Sequence, residues 1–98
     1  MNTLFLKYRE TMLKAIAKWG ANKQTDMLHE EIGELLQAVN KHKRKNSLDN
    51  RENLLEEIAD VEIMLEQQKL MIAGAAHSAV EAYKERKLQR LTEKLSES

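Results

Sequence analysis

The stretch LHEEIGEL, residues 28–35, returns in altered form as LLEEIADV, residues 54–61, displaced by 26 positions. Both copies read aliphatic, any residue, Glu, Glu, Ile, small, acid, aliphatic. In a helix each residue turns about 100°. Leu28, Ile32, Leu35 and Val39 then form one apolar seam, and Leu54, Ile58, Val61 and Leu65 form a second. Glu31 and Glu34 fall on one flank of the first seam. Glu57 and Asp60 fall on the same flank of the second, because seams and acids share the displacement. An antiparallel hairpin with its turn centred near position 45 or 46 would bring the two acid pairs level, and the polar break KNSLDN begins at Lys45.

Such convergence needs a counter-charge. Two like charges ~4 Å apart repel by roughly 4 kcal/mol at an effective dielectric of about 20. Carboxylate oxygens with no Cys and no obligatory His suit magnesium, with manganese as a substitute; calcium fits on ligand type alone. Glu30 and Glu56 point further from the seams, and either add to the rim of the cluster or are solvated. A single Glu-Glu pair in a charged helix is ordinarily a solvated face. Two copies in matched phase across a suitably placed turn weigh against that reading.

The remainder of the chain agrees with an all-α fold. Zero Pro, three Gly and an abundance of good helix formers favour helix throughout the 98 residues, read as one domain over 1–98. A first helix is expected over about residues 2–18, with Phe5, Tyr8, Met12, Ile16 and Trp19 along one face and Gly20 as its stop. The second covers about 23–44, capped by Asn22 or Thr25. Asp49 and Glu52 resemble a capping box for the third, which ends near the AGAA around Gly74. A fourth, about 77–95, carries Val80, Leu88, Leu91 and Leu95. The expectation is a four-helix bundle, alone or completed by a second subunit, since a chain this short buries little by itself.

Charge and cysteine content exclude several functions. Sixteen Lys plus Arg balance sixteen Asp plus Glu, so nothing draws the chain globally to nucleic acid or an anionic membrane. With no Cys, thiolate nucleophiles and zinc-thiolate sites are absent. MNTLFLKYRE meets charge too soon for a signal peptide, and the apolar runs are too short to span a bilayer, so a cytoplasmic location is expected. His29, His42 and His77 form no triad or metal spacing, and Met64 and Met71 read as core filling. On the fourth helix Tyr83, Lys87, Arg90 and Lys94 share one stripe; Lys41 and Arg44 end the second helix. Both basic sets are candidate phosphate contacts, Lys41 and Arg44 the weaker pair, and solvated surface is the plain reading of each. Trp19 reads as a core anchor rather than a stacking platform.

EEIGE followed by EEIAD resembles the EExxE and ExxD signature of the MazG-like all-alpha nucleoside triphosphate pyrophosphohydrolases, a superfamily that includes dimeric dUTPases and phosphoribosyl-ATP pyrophosphohydrolases. The similarity to short phage and bacterial members covers WGANKQTDMLHEEIGELLQAV and NLLEEIADVEIMLEQ, roughly residues 19–67. That resemblance implies a four-helix arrangement of the all-alpha pyrophosphatase type, assembled as a homodimer or homotetramer. It implies Glu31, Glu34, Glu57 and Asp60 as magnesium ligands, with Glu30 assisting a second ion or the attacking water. It also implies Lys87 and Arg90, within ERKLQRL, as triphosphate contacts, and keeps Trp19 and Gln24 as candidates for base recognition. The implied reaction cleaves a nucleoside triphosphate between its alpha and beta phosphates, giving monophosphate and pyrophosphate, without nucleic acid polymer or membrane.

Two rivals belong to other classes. A ferritin-like di-iron site would want Glu-x-x-His twice, and here only Asp26 and His29 have a comparable spacing. A non-catalytic helical module that oligomerises or binds a protein partner, its acids merely solvated, is the stronger alternative.

Overall fold

The computed structural model describes residues 2–72 and 74–97; Met1, Ala73 and Ser98 lie outside the described residues. Five helices and no strand occur among the described residues: α1 (Thr3–Lys7), α2 (Arg9–Trp19), α3 (Ala21–Arg44), α4 (Leu48–Met71) and α5 (Ala76–Glu97). The first expected helix is thus divided at Tyr8, whose φ of −103° and ψ of 14° loosen the turn. The hydrogen bonding continues across it, with the Tyr8 amide donating to Leu4 O and the Met12 amide to Tyr8 O.

Gly20 ends α2, as its lack of a Cβ allows. Its φ of 88° and ψ of 157° belong to a region open almost only to glycine. From there α3 starts at once, at Ala21, with no side-chain cap; Asn22 and Thr25, expected as caps, lie inside the helix. The start of α4 also differs from expectation. Ser47 is its N-cap, with Oγ accepting from the Asn50 amide at 3.2 Å, while Asp49 sits in the first turn, where its charge suits the helix dipole. Asp49 and Glu52 carry the same capping pattern two residues later, but the helix already begins at Leu48.

The dominant packing is α3 against α4. Each has 24 residues, and only residues 45–47 separate them, so they run antiparallel. The Asn50 amide group ties the turn, donating from Nδ2 to the carbonyls of Lys41 (3.3 Å) and Lys45 (3.0 Å). Leu28, Ala38, Val61 and Met64 are buried here, and α2 lies across one end of the hairpin with Met12 buried against it. Met64 therefore fills the core as expected, whereas Trp19 does not: it is 53% exposed, with the Lys18 ammonium 5.4 Å from its ring centroid.

Helix α5 contributes no buried residue. It meets α4 near its own start, where His77 bonds the carboxylate of Glu66. Glu66 is 1% exposed and also pairs with Lys69 at 3.4 Å, so this buried carboxylate is partnered on two sides. Every position from Glu81 to Glu97 is exposed.

Substituting Gly20→Ala should lower the unfolding free energy by about 1–3 kcal/mol. A Cβ there would meet nothing within 4 Å, so the cost arises from φ alone. Denaturant titration of the two proteins would measure it, and equal midpoints would contradict the conformation assigned to this link.

Candidate metal centre

Three of the four acids expected to converge, Glu31, Glu57 and Asp60, meet through the register of the hairpin. With the turn centred at residue 46, Glu31 lies level with Asp60 and Glu34 with Glu57. Glu31, Glu57 and Asp60 each offer a carboxylate oxygen, and these three atoms lie within 4.8 Å of one another, a grouping that could hold a metal ion. Glu31 and Glu57 are half-buried and Asp60 is exposed. Glu34, the fourth expected ligand, is exposed and lies outside that grouping. Its charge nevertheless acts on both Glu31 and Glu57.

The electrostatics are one-sided. Desolvation raises the Glu31 carboxyl above its ordinary 4.5, and the charges of Glu34, Asp60, Glu57 and Glu30 raise it further. Glu57 is raised first by desolvation, then by Glu34 and Asp60, then by hydrogen bonding to Glu34 and by the charge of Glu56. No cation stands among these influences. Glu31 Oε2 and Glu57 Oε2 are also buried with no hydrogen-bond partner. Buried carboxylate oxygens are normally paired with donors or metal. Two orphaned oxygens among hard carboxylate donors fit a divalent cation.

The other candidate residues are dispersed. Glu30 is exposed, and its charge reaches Glu31. Gln24 is 1% exposed, its Nε2 donating to Met27 Sδ at 3.8 Å, so within one chain it is enclosed rather than an open surface group. Trp19 stands at the exposed end of α2, Lys41 and Arg44 at the exposed C-terminal end of α3, and Lys87 and Arg90 on the exposed length of α5. A groove of about 650 Å³ lies elsewhere, between α1, the end of α4 and the start of α5, with Phe5, Leu65, Lys69, His77 and Val80 in its wall; none of the clustered acids lines it.

The pairing of Glu66 with His77 escaped the sequence reading. The two are 11 residues apart across the Gly74 turn, and no motif announces them. His77 is a partner of Glu66 only because of how α5 leaves that turn. Among the described residues no helix is long and apolar enough to cross a membrane.

Compared with family models, with curated proteins and with solved structures, the chain matches none. The chemistry of the cluster therefore rests on its own geometry.

A carboxyl raised on folding binds more protons in the folded chain than in the unfolded one. Stability contributed by the protonated cluster is therefore present near the unfolded value of 4.5 and lost as pH rises through the raised values. In metal-free buffer the melting temperature should fall between about pH 5 and about pH 8 by more in the wild type than in Glu57→Gln. Magnesium or manganese at the higher pH should restore it in the wild type only. Identical pH profiles for the two proteins would contradict the clustering.

Proposed function

We propose that this chain is a magnesium-dependent nucleoside triphosphate pyrophosphohydrolase, working as a cytoplasmic homo-oligomer, dimer or tetramer, of the MazG-like type that its EEIGE and EEIAD segments resemble. The observation that supports this most is the meeting of Glu31, Glu57 and Asp60, from two helices, with one buried oxygen each of Glu31 and Glu57 lacking a hydrogen-bond partner.

In this reading Glu31, Glu57 and Asp60 hold Mg2+, or Mn2+ in its place, and Glu34 completes the set from the adjoining turn. When bound, the ion supplies charge neutralisation for phosphate oxygens, the main requirement of phosphoryl-type substitution. The residues of the chain have the remaining tasks. The Glu30 carboxylate, one position before Glu31 and free of the cluster, accepts the proton of the attacking water as general base. Lys87 and Arg90 of the basic stripe on α5 pair with the triphosphate, with Lys41 and Arg44 as a second cationic set. Trp19 offers an exposed ring to a base, and Gln24 an amide once its enclosure opens. The bond broken is the anhydride between the alpha and beta phosphates; water's oxygen joins one phosphorus and pyrophosphate or monophosphate departs with the bridging oxygen.

The alternative, a non-catalytic helical module that oligomerises or binds a protein, draws on the large apolar residues left exposed along α3, α4 and α5. The two readings differ in one assay. A panel of ribo- and deoxynucleoside triphosphates incubated with the chain should yield monophosphate and pyrophosphate only when magnesium is added. Glu57→Gln and Asp60→Asn should each lower kcat/KM by about 100-fold or more, as expected when charge stabilisation of the transition state is lost. Nucleotides left intact by the wild type would favour the module, and full turnover in both folded variants would remove these acids from the site.

A further inference from the structure

The groove bounded by α1, the end of α4 and the start of α5 is lined by groups that do not balance. Its volume of about 650 Å³ is in the range of small-molecule sites. Phe5, Leu65, Ile72 and Val80 give it apolar walls. Its charged lining sets three carboxylates, Glu62, Glu66 and Glu81, against two ammoniums, Lys69 and Lys84. Four of these five are paired within the fold: Lys84 with Glu81 at 2.7 Å, and Glu66 with Lys69, to which His77 adds its bond. Glu62 is exposed and bonds to no side chain among the described residues.

Three lining groups left without a partner are hydrogen-bond acceptors. Gln68 Oε1 is buried with no hydrogen-bond partner, where such an oxygen is ordinarily bonded. His77 donates its Nε2–H to the Glu66 carboxylate, which leaves the lone pair of the neutral ring on Nδ1. Glu62, as a carboxylate, accepts and cannot donate. Each step of three residues along α4 turns about 60° back and rises about 4.5 Å. Glu62, Leu65 and Gln68 therefore make a slanting row, with an aliphatic side chain between two acceptors whose backbones are about 9 Å apart.

We propose that this groove is a binding site for an arylalkyl primary amine with a second hydrogen-bond donor at its far end. The ammonium pairs with Glu62, the ring rests on Leu65 with Phe5 and Val80 as adjoining walls, and the distal hydroxyl donates to Gln68 Oε1. The occupant follows from the lining. An anion would meet an excess of carboxylates, and a purely apolar molecule would leave Gln68 Oε1 buried and unpaired. An ammonium brings three donors and no acceptor, and the aromatic ring of Phe5 favours a cation near its face. The row sets a donor-to-donor length of roughly 9 Å, which a para-hydroxyphenyl ring on a two-carbon amine approaches. None of the clustered acids lines the groove, so this site is separate from the metal centre and from the reaction proposed for it.

Tyramine is the probe. Phenethylamine lacks its hydroxyl, and para-hydroxyphenylpropionate carries a carboxylate in place of the amine. Titrated into the full chain and followed by proton–nitrogen correlation NMR, tyramine should move the amides of residues 62–69 and 77–84, which border the groove. Phenethylamine should bind about 5-fold more weakly, for want of one hydrogen bond, and the propionate should leave those amides in place. Glu62→Gln should weaken both amines by about 5-fold, whereas Gln68→Leu should weaken tyramine alone. If Gln68→Leu loses its helical circular dichroism, Glu62→Lys decides: at this exposed position the reversed charge should abolish tyramine binding and admit the propionate. An absence of tyramine binding at millimolar concentration, equal binding of the propionate to the wild type, affinities unchanged in both Glu62 variants, or shifts confined to residues 31–34 and 57–60 would each overturn the site. The nucleotide assay succeeds or fails independently of all of these.

Discussion

A three-residue turn between two helices of equal length leaves little freedom in how they can meet. Once Asn50 has tied the turn to the carbonyls of Lys41 and Lys45, residues on α3 and α4 are level wherever their numbers sum to about 91. That register is the constraint on which the core, the acid cluster and the exposed apolar face all depend. A slip of one residue would rotate each contact by about 100° and carry Glu57 away from Glu31. Burial of Leu28, Ala38, Val61 and Met64 holds the register along the length of the pair.

The same constraint makes the cluster costly. Water is partly withdrawn from Glu31 and Glu57 while other carboxylates crowd them, and both effects favour the neutral acid. Elsewhere the fold compensates its charges: Glu66, far more deeply buried, has both Lys69 and His77. Glu81 has Lys84 at 2.7 Å and is lowered by that hydrogen bond and charge. The contrast within one chain is informative. The buried Glu66 has a lysine ammonium beside it, and no cation is among the influences on Glu31 or Glu57.

Two sides of one hairpin therefore have different fates. One carries the acids and receives α2; the other carries exposed isoleucines and leucines, and its Leu65 end borders the groove beside α1 and α5. Helix α5, which contributes no buried residue, stands apart from both along most of its length. The basic stripe of α5 and the acids are thus separate features of a single chain, joined only in the proposed assembly with substrate.

Much of this was legible in the residues. Helix periodicity, the absence of Pro and the echo of LHEEIGEL in LLEEIADV placed α3, α4 and α5 to within a few residues and put Glu31, Glu57 and Asp60 on one side of a hairpin. These are local properties, determined by rotation per residue and by the length of the break at Lys45. What the sequence left open depends on distances through space. Only packing could show that Glu34 stands outside the closest group, that Gln24 is enclosed while Trp19 is not, and that Ser47 rather than Asp49 caps α4. The bond from His77 to Glu66 was beyond reach for the same reason. Periodicity states which way a side chain leaves its own helix, but burial and pairing are decided by what the other helices bring to that side.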